Sequence, residues 1–332
     1  MTSPAQLAGV AAASASAAWA VGADAVTPAG TGTPLILHWN GTSWSAVALS
    51  GVSGPGGLTS VAAASPRDAW AVGTDSAGAI VLHWNGRKWY TVSFPDQATA
   101  TLSSVAVGPH GTAWMVGGYP DSSGRPQLLV EEWNGKAWHV VNTGLSGGAL
   151  VAVRVSASGD VFVAGTSSPT STNNLVADEH DGIWTSLPAA PLDSVANVLG
   201  VSGSDVWVAG LFLSTTPGST PAKICNWNGS TWSTVSIPSA GQALSISPDD
   251  SGQPQWVGVT TNIDPASTLY SHYDGTSWSN VPGATALTGV FEGYTVTAHI
   301  PGTNATWAVG GSASLNSAGN PVPASPIIEY NP

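Results

Sequence analysis

The chain has 332 residues, and 7 lysines and arginines against 19 aspartates and glutamates give it a net charge of −12. Because binding to phosphate depends on clustered cations, this charge argues against nucleic acid and anionic membrane surfaces as partners. Hydrophobic residues make up 42 % of the chain and charged residues 8 %. A disordered chain has few apolar residues and high net charge, so the composition predicts a folded protein with a largely uncharged surface.

The first predicted element is a strand pair within residues 7–26. This segment is apolar enough to resemble a signal peptide or a membrane span, but it is rich in Ala and Ser and has no positively charged start. It also aligns with segments that recur six more times along the chain. The segment is therefore predicted to be part of the fold, and a signal for export, if the native protein has one, is not present in this chain.

Two motifs alternate from the first residues to the last. One is a small-apolar strand, Trp-Ala-Val-Gly in its purest form, which recurs at spacings of 44 to 51 residues around Trp19, Trp70, Trp114, Phe162, Trp207, Trp256 and Trp307. The other is an aromatic-Asn/Asp-Gly turn followed by Trp, which begins at Trp39, Trp84, Trp133, His180, Trp227 and Tyr273. The chain ends within a seventh copy of the second motif, at Tyr330.

Each copy of these motifs predicts four short antiparallel strands. Asn-Gly and Asp-Gly supply the positive φ of a tight hairpin, so the second motif joins a third strand such as 80–84 to a fourth such as 88–92. A short turn precedes each Trp-Ala-Val-Gly strand, and a strand of small residues such as 58–64 precedes that turn. Radial repetition of such a unit builds a propeller, so the predicted fold is all-β, a seven-bladed β-propeller.

The repeats predict a single domain over residues 1–332. The blades are expected at approximately 1–49, 50–95, 96–144, 145–188, 189–238, 239–282 and 283–332. The last blade is predicted to have three strands, because crossing a sheet of strands about 4.8 Å apart takes at least about four residues, and residues 1–6 cannot also form an outer strand. The free edge would invite pairing with another chain, or reflect a strand lost from a longer protein.

The repeat resembles one that is common in secreted actinobacterial propellers, with a looser similarity to kelch and Asp-box propellers. The resemblance covers nearly the whole chain and concerns architecture, so it implies an extracellular propeller without implying an activity. The true Asp-box has the spacing Asp-x-Gly, whereas Asp181 and Asp274 are followed directly by Gly, which weakens that similarity.

Long, irregular connections are expected on one face of the disc, which we call the long-loop face. It carries the connections from second to third strands and from each blade to the next, whereas short turns occupy the opposite, short-turn face. Variable loops on a rigid scaffold are where binding residues concentrate. The predicted ligand-binding candidates are Asp75, Tyr119, Asp121, Arg125, Phe212 and Asp264 in these loops, together with Arg154 on an inner strand.

Arg154 is notable because the other inner strands carry small or apolar residues at its position. It is interpreted either as a contact for an anion or a sugar hydroxyl in the axial channel, or as an arginine that is paired to a carboxylate or solvated. The loop carboxylates, taken singly, are expected to be solvated. Cys225, the single cysteine, is expected to be a buried small hydrophobe.

The repeated tryptophans are predicted to form the core between blades, because they recur at one register. A role in stacking against sugars remains an alternative for the tryptophans of the outer strands, which are Trp44, Trp89, Trp138, Trp184, Trp232 and Trp278. His38, His83 and His272 precede the aromatic residue of the turn and are expected to be polar and outward-facing. Because different blades hold them far apart, no metal site is predicted.

The sequence argues against several chemistries. Sialidase propellers use three arginines, but two of the four arginines here, Arg67 and Arg87, are in tight turns on the short-turn face, which leaves only Arg125 and Arg154. Copper oxidases of the kelch type need a Tyr–Cys pair with histidines on the axis, and Cys225 is expected on a third strand instead. No phosphate loop, zinc spacing or nucleophile elbow occurs, so no cofactor and no catalytic residue are predicted. Hydrolysis by two carboxylates stays open.

Three functions remain after these exclusions. The leading one is an extracellular, non-catalytic binding module for carbohydrate or for another protein, acting through the long-loop face. The alternatives are a carbohydrate-active enzyme that uses carboxylates on that face, and a scaffold domain of a larger secreted protein. The oligomeric state is not predicted, and fold alone does not decide between these functions.

Overall fold

A computed structural model describes residues 4–27, 31–95, 99–167, 174–212, 221–260, 269–283, 290–292, 296–315 and 321–332. Within these ranges the chain forms 28 β-strands and one short 3-10 turn at Pro109–Gly111. The strands make seven antiparallel sheets, each built from strands that are consecutive in sequence. This arrangement confirms the seven-bladed propeller.

The strands are numbered in chain order, and those of the first four blades are β1 (Gln6–Ser14), β2 (Ala17–Asp24), β3 (Thr33–Trp39), β4 (Trp44–Ala46); β5 (Gly57–Ser65), β6 (Asp68–Asp75), β7 (Gly78–Trp84), β8 (Trp89–Thr91); β9 (Thr101–Val107), β10 (Ala113–Pro120), β11 (Pro126–Trp133), β12 (Trp138–Val140); β13 (Ala149–Val155), β14 (Val161–Thr166), β15 (Asn174–His180) and β16 (Ile183–Ser186). Those of the last three blades are β17 (Ser194–Ser202), β18 (Asp205–Leu211), β19 (Pro221–Trp227), β20 (Trp232–Ala240); β21 (Gln242–Pro248), β22 (Pro254–Thr260), β23 (Leu269–Tyr273), β24 (Trp278–Pro282); β25 (Val290–Glu292), β26 (Val296–His299), β27 (Thr306–Leu315) and β28 (Pro321–Asn331).

The seventh blade has three strand positions, as predicted. β25 and β26 both pair with β27 on the same side and together occupy the inner position, while β28 pairs with the other side of β27. Among the described residues no strand pairs with the outer edge of β28. The ring closes instead through side-chain packing, in which Leu7 and Leu37 of the first blade lie in one cluster with Trp307 of the seventh.

The glycine of the Trp-Ala-Val-Gly motif is explained by a bulge in the inner strand. In β5 the pairing with β6 skips Thr59, between Leu58 and Ser60, and the other inner strands from β1 to β21 have a bulge at the equivalent position. The bulge brings the two backbones together, so that a Cβ on Gly73 would lie 2.3 Å from the carbonyl oxygen of Gly57. In four of these strands the skipped residues, Ala8, Thr59, Ala196 and Leu244, line one cavity, as bulges commonly re-aim side chains.

Tryptophans fill the gaps between blades, as predicted. Trp70 of the second blade is 2 % exposed, stacks on His83 at a centroid distance of 3.9 Å, and meets Trp138 of the third blade edge-on at 5.1 Å. The same arrangement joins Trp19 to Trp89, and Trp307 to Trp44 across the closure of the ring. All 16 tryptophans are buried or half-buried.

The histidines next to the turn motif do not face outward as expected. His38, His83 and His272 each lie against the tryptophan opposite them on the second strand of their own blade. His83 is held in place by Asp68 and by the Tyr90 hydroxyl, both at 2.7 Å from its ring nitrogens. These histidines therefore extend the aromatic core between blades.

Serine side chains form hydrogen bonds between the inner strands of neighbouring blades, close to the axis. The backbone N–H groups of Val105 and Val153 donate to the hydroxyl oxygens of Ser60 and Ser104 in the preceding blades, at 3.2 and 3.3 Å. Ser245 accepts from the N–H of Thr297 in the same way. The serine hydroxyls at this position thus accept hydrogen bonds from backbone N–H groups of the next blade, and they link adjacent inner strands around the channel.

Candidate functional site

A cavity of about 710 Å³ lies at the long-loop mouth of the axial channel. The amino-terminal halves of the inner strands form its wall, and the bulge residues Ala8, Thr59, Ala196 and Leu244 point into it. The β2–β3 connection of the first blade and the connection to the second blade form its rim, where the N–H of Gly56 donates to the carbonyl oxygen of Gly32 at 2.8 Å. Its remaining lining residues are Gln6, Leu7, Gly22, Ala23, Thr31, Pro55, Gly57, Leu58, Thr74 and Val296.

The chemistry of this cavity follows from its lining. Among the described residues that form it, none is charged and none is aromatic. Backbone groups, a few hydroxyls and the amide of Gln6 supply its polarity. The cavity is therefore suited to an apolar or uncharged group and holds no carboxylate pair for acid–base chemistry.

Two of the predicted site residues, Asp121 and Arg125, lie in the loop between β10 and β11, and Tyr119 lies at the end of β10. The Asp121 carboxylate accepts the N–H groups of Ser123 and Arg125 and, at 2.9 Å, the Arg125 Nε. These donors hold the pKa of Asp121 below its usual range, the Arg125 backbone N–H contributing most. Asp121 thus stabilises its own turn, while Tyr119 is half-buried and packs against the core between the second and third blades.

The remaining predicted loop residues lie apart from that loop. Asp75 accepts the N–H of Ala77 in a turn of the second blade. Phe212, in the fifth blade, is clamped through its backbone by the side-chain amide of Gln242, with distances of 2.9 and 3.1 Å. Asp264 lies outside the described residues. The structure therefore does not assemble the described loop candidates into one site.

Arg154 lies in the channel, as predicted, but toward the short-turn end. It borders a second cavity, of about 270 Å³, which is formed by the carboxyl-terminal halves of the inner strands. Within the described part of the chain no carboxylate pairs with it. The interpretation of Arg154 as one half of an ion pair is therefore not supported.

A third cavity, of about 440 Å³, brings two carboxylates together between the third and fourth blades. Glu132 and Glu179 both line it, beside Trp114 and Trp184. Partial burial raises the pKa of Glu132, and the charge of Glu179 raises it further. Glu179 accepts the N–H of Gly182 and so also stabilises its hairpin turn. In the sequence both glutamates occupy the position that His38, His83 and His272 occupy in other repeats, one residue before the aromatic residue or histidine of the turn, and this pattern does not pair them.

Other reactive groups are accounted for by packing. Cys225 is fully buried, and burial raises the pKa of its thiol to about 11, so it is the inert hydrophobe that was expected. Within the described ranges, no group of three or more His, Cys, Asp or Glu side chains is arranged to hold a metal ion. The same ranges contain no helix that is long and apolar enough to cross a membrane.

Comparison with solved structures finds the same architecture in distant proteins. The chain is a seven-bladed β-propeller. It is similar to YCF48 bound to D1 peptide and to YCF48 from Cyanidioschyzon merolae, each with 15 % identity, a TM-score of 0.58 and 93 % of this chain covered, over 90 % and 94 % of those chains. It is also similar to the Hadza microbial sialidase Hz136, with 10 % identity and a TM-score of 0.53, over 99 % of this chain and 66 % of that one. These identities show the fold alone.

No protein-family model and no curated protein matches the chain.

Proposed function

We propose that the chain is an extracellular, non-catalytic binding module that takes an extended peptide segment of a partner protein at the long-loop mouth of its channel. The observation that carries this proposal is the uncharged cavity of about 710 Å³ at that mouth. Its volume falls within the range of about 300–1,000 Å³ that ligand sites occupy. Extracellular location rests on the resemblance of the repeat to secreted propellers.

A peptide suits this cavity better than a carbohydrate does. Sugar sites use exposed aromatic faces, whereas the tryptophans are buried or half-buried between blades and none lines the cavity. Backbone amides and hydroxyls at the rim, such as those of Thr31 and Thr74, are suited to a peptide backbone. The fold supports the proposal by analogy, since one similar propeller was solved with a bound peptide.

Selection from a displayed library of random peptides tests this proposal. Ala8 is exposed and lines the cavity, so Ala8→Trp fills the mouth without changing the core. Ala64→Trp, at an exposed position toward the short-turn face, is the matched control. We expect peptides selected on the wild type to bind Ala64→Trp equally and Ala8→Trp at least about tenfold more weakly, a loss of about 1.4 kcal/mol.

Equal binding of the selected peptides to both variants would place the site elsewhere. Failure to select any peptide, together with saturable binding on a glycan array, would replace the peptide with a carbohydrate. If the protein binds neither peptides nor glycans, the binding proposal is wrong, and the function that remains is that of a scaffold domain in a larger secreted protein.

A second candidate function is hydrolysis of a glycosidic bond by Glu132 and Glu179. Glycosidases pair a carboxylic acid of raised pKa with a second carboxylate, and this cavity contains both. It lies toward the short-turn face rather than on the face where an enzyme site was expected. Glu132→Gln would abolish such an activity, measured as release of reducing sugar from a panel of polysaccharides.

The raised pKa of Glu132 has a consequence for stability that is independent of any activity. The folded protein holds this proton to a higher pH than the unfolded chain, whose ordinary value is 4.5, so stability falls as pH rises through the interval between the two pKa values. We expect Glu132→Gln to raise Tm relative to the wild type at about pH 7 and to give no gain at about pH 3.5. Asp75→Asn makes the same change of charge in a different blade and should not show this difference.

A further inference from the structure

One position on the inner strands is occupied very differently in the fourth blade. It is the residue that pairs with the aromatic residue of the second strand, and in the fourth blade Arg154 pairs there with Phe162. In the other blades the residues at this register are Ala11, Ala62, Ala106, Leu199, Ser247 and Ala298. One cation therefore stands in a ring of small and apolar side chains around the axis.

The guanidinium of Arg154 has no partner within the described part of the chain. Its Nε has no contact with solvent and no hydrogen-bond acceptor, and no carboxylate forms an ion pair with it. Ser247 is 1 % exposed, and its Oγ also has no hydrogen-bond partner. Both side chains border the same cavity of about 270 Å³. Arg154 and Ser247 thus lie beside the same cavity, and each has a polar side-chain atom without a hydrogen-bond partner in the described part of the chain.

The walls of this cavity make the unpaired cation costly. Val10, Val61, Val107, Val155 and Leu199 contribute most of the apolar lining. Arg154 is half-buried, a charge withdrawn from water is unfavourable unless it is paired, and a guanidinium cannot be relieved by losing its proton near neutral pH. The other titratable side chain at the cavity, His299, is already bound through its two ring nitrogens to Gln255 and Asp250. Among the described residues, the charge of Arg154 therefore lacks a counterion.

We propose that this end of the channel binds a small carboxylate, held by the Arg154 guanidinium and by the Ser247 hydroxyl. The planar fork of a guanidinium matches the two oxygens of a carboxylate, and such charge-assisted pairs are the stronger hydrogen bonds in proteins. The apolar walls accommodate a short aliphatic portion, and the volume limits the ligand to a few carbon atoms. This site is at the opposite end of the channel from the peptide mouth and does not depend on it.

Calorimetric titration with sodium butyrate tests the proposal. We expect saturable one-to-one binding to the wild type, at least about a tenfold loss in Arg154→Met, and a smaller loss in Ser247→Ala. Arg87→Met removes an exposed arginine from a hairpin turn on the same face and should leave butyrate binding unchanged. Ala8→Trp should also leave it unchanged, so failure of the peptide proposal and failure of this one are distinguishable.

Two further ligands identify the source of the carboxylate. A tripeptide with a free carboxyl terminus that binds more tightly than butyrate, and loses binding on amidation, identifies a chain terminus as the ligand. Tighter binding of butyrate identifies a free acid, and either result supports the site. Undiminished butyrate binding by Arg154→Met, binding of sulfate in preference to butyrate, or absence of saturable binding to the wild type would overturn it. Arg154→Lys, which keeps the charge but loses the fork, replaces Arg154→Met if that variant fails to fold.

Discussion

Replacing Trp70 by Ala is expected to lower the free energy of unfolding by about 3–5 kcal/mol. Trp70 is 2 % exposed, and its ring contacts His83 in its own blade and Trp133 and Trp138 in the next. Removing the indole would leave a cavity between two blades that are held apart by their own strands and cannot collapse into it. Denaturant unfolding monitored by circular dichroism measures the loss.

A matched apolar truncation at the surface provides the control for Trp70. Ile183, on the outer strand of the fourth blade, is 68 % exposed, so Ile183→Ala should change stability by no more than about 0.5 kcal/mol. A loss below about 1 kcal/mol for Trp70→Ala would show that this ring is peripheral. It would also reopen the use of tryptophans for sugar stacking.

Replacing Gly73 by Ala is expected to cost about 1–3 kcal/mol, although the change adds a single methyl group. The new Cβ would lie 2.3 Å from the Gly57 carbonyl oxygen and 2.6 Å from the Leu58 Cα, so the backbone of the inner strand has to move. That strand carries Thr59 toward the channel, so the shift also deforms the wall of the long-loop mouth. Denaturant unfolding measures the cost, and peptide binding measures the deformation.

Gly203 offers the control for this substitution. It is exposed in a short turn, and its added Cβ would meet only the Asp178 carboxylate, a side-chain group that can move. Gly203→Ala should therefore be neutral or slightly stabilising, because alanine reduces the entropy of the unfolded chain. Equal losses at Gly203 and Gly73 would contradict the explanation of the motif by the bulge.

The architecture could be predicted from the sequence because the same short-range sequence patterns recur in every blade. Asn-Gly turns fix the hairpins, and the recurrence of Trp at one register requires a repeated environment, so blade number and strand order follow without knowledge of long-range contacts. The three-stranded last blade followed from counting residues 1–6 against the width of a sheet. The outward-facing histidines were predicted wrongly, because their stacking on Trp depends on cross-strand register.

The candidate sites were less accessible to sequence reasoning because they form only when the ring closes. Ala8, Thr59 and Leu244 are unremarkable residues in three separate blades, and only the bulge and the common axis bring them to one mouth. The signal available for them was their common position, one residue after the first buried apolar residue of each inner strand, at Leu7, Leu58 and Ala243. Arg154 was recognisable as an exception within the repeat, but the sequence did not show that no carboxylate among the described residues would pair with it.

Photo-cross-linking of a selected peptide is the most direct test of binding at the long-loop mouth. A peptide with a benzophenone side chain near its centre, irradiated on the protein and mapped by mass spectrometry, should attach to residues that line the cavity, such as Gln6, Thr31, Thr59 and Thr74. Prior binding of the unlabelled peptide should prevent the reaction. Attachment to the free edge of β28, or to the short-turn face, would contradict the proposed site.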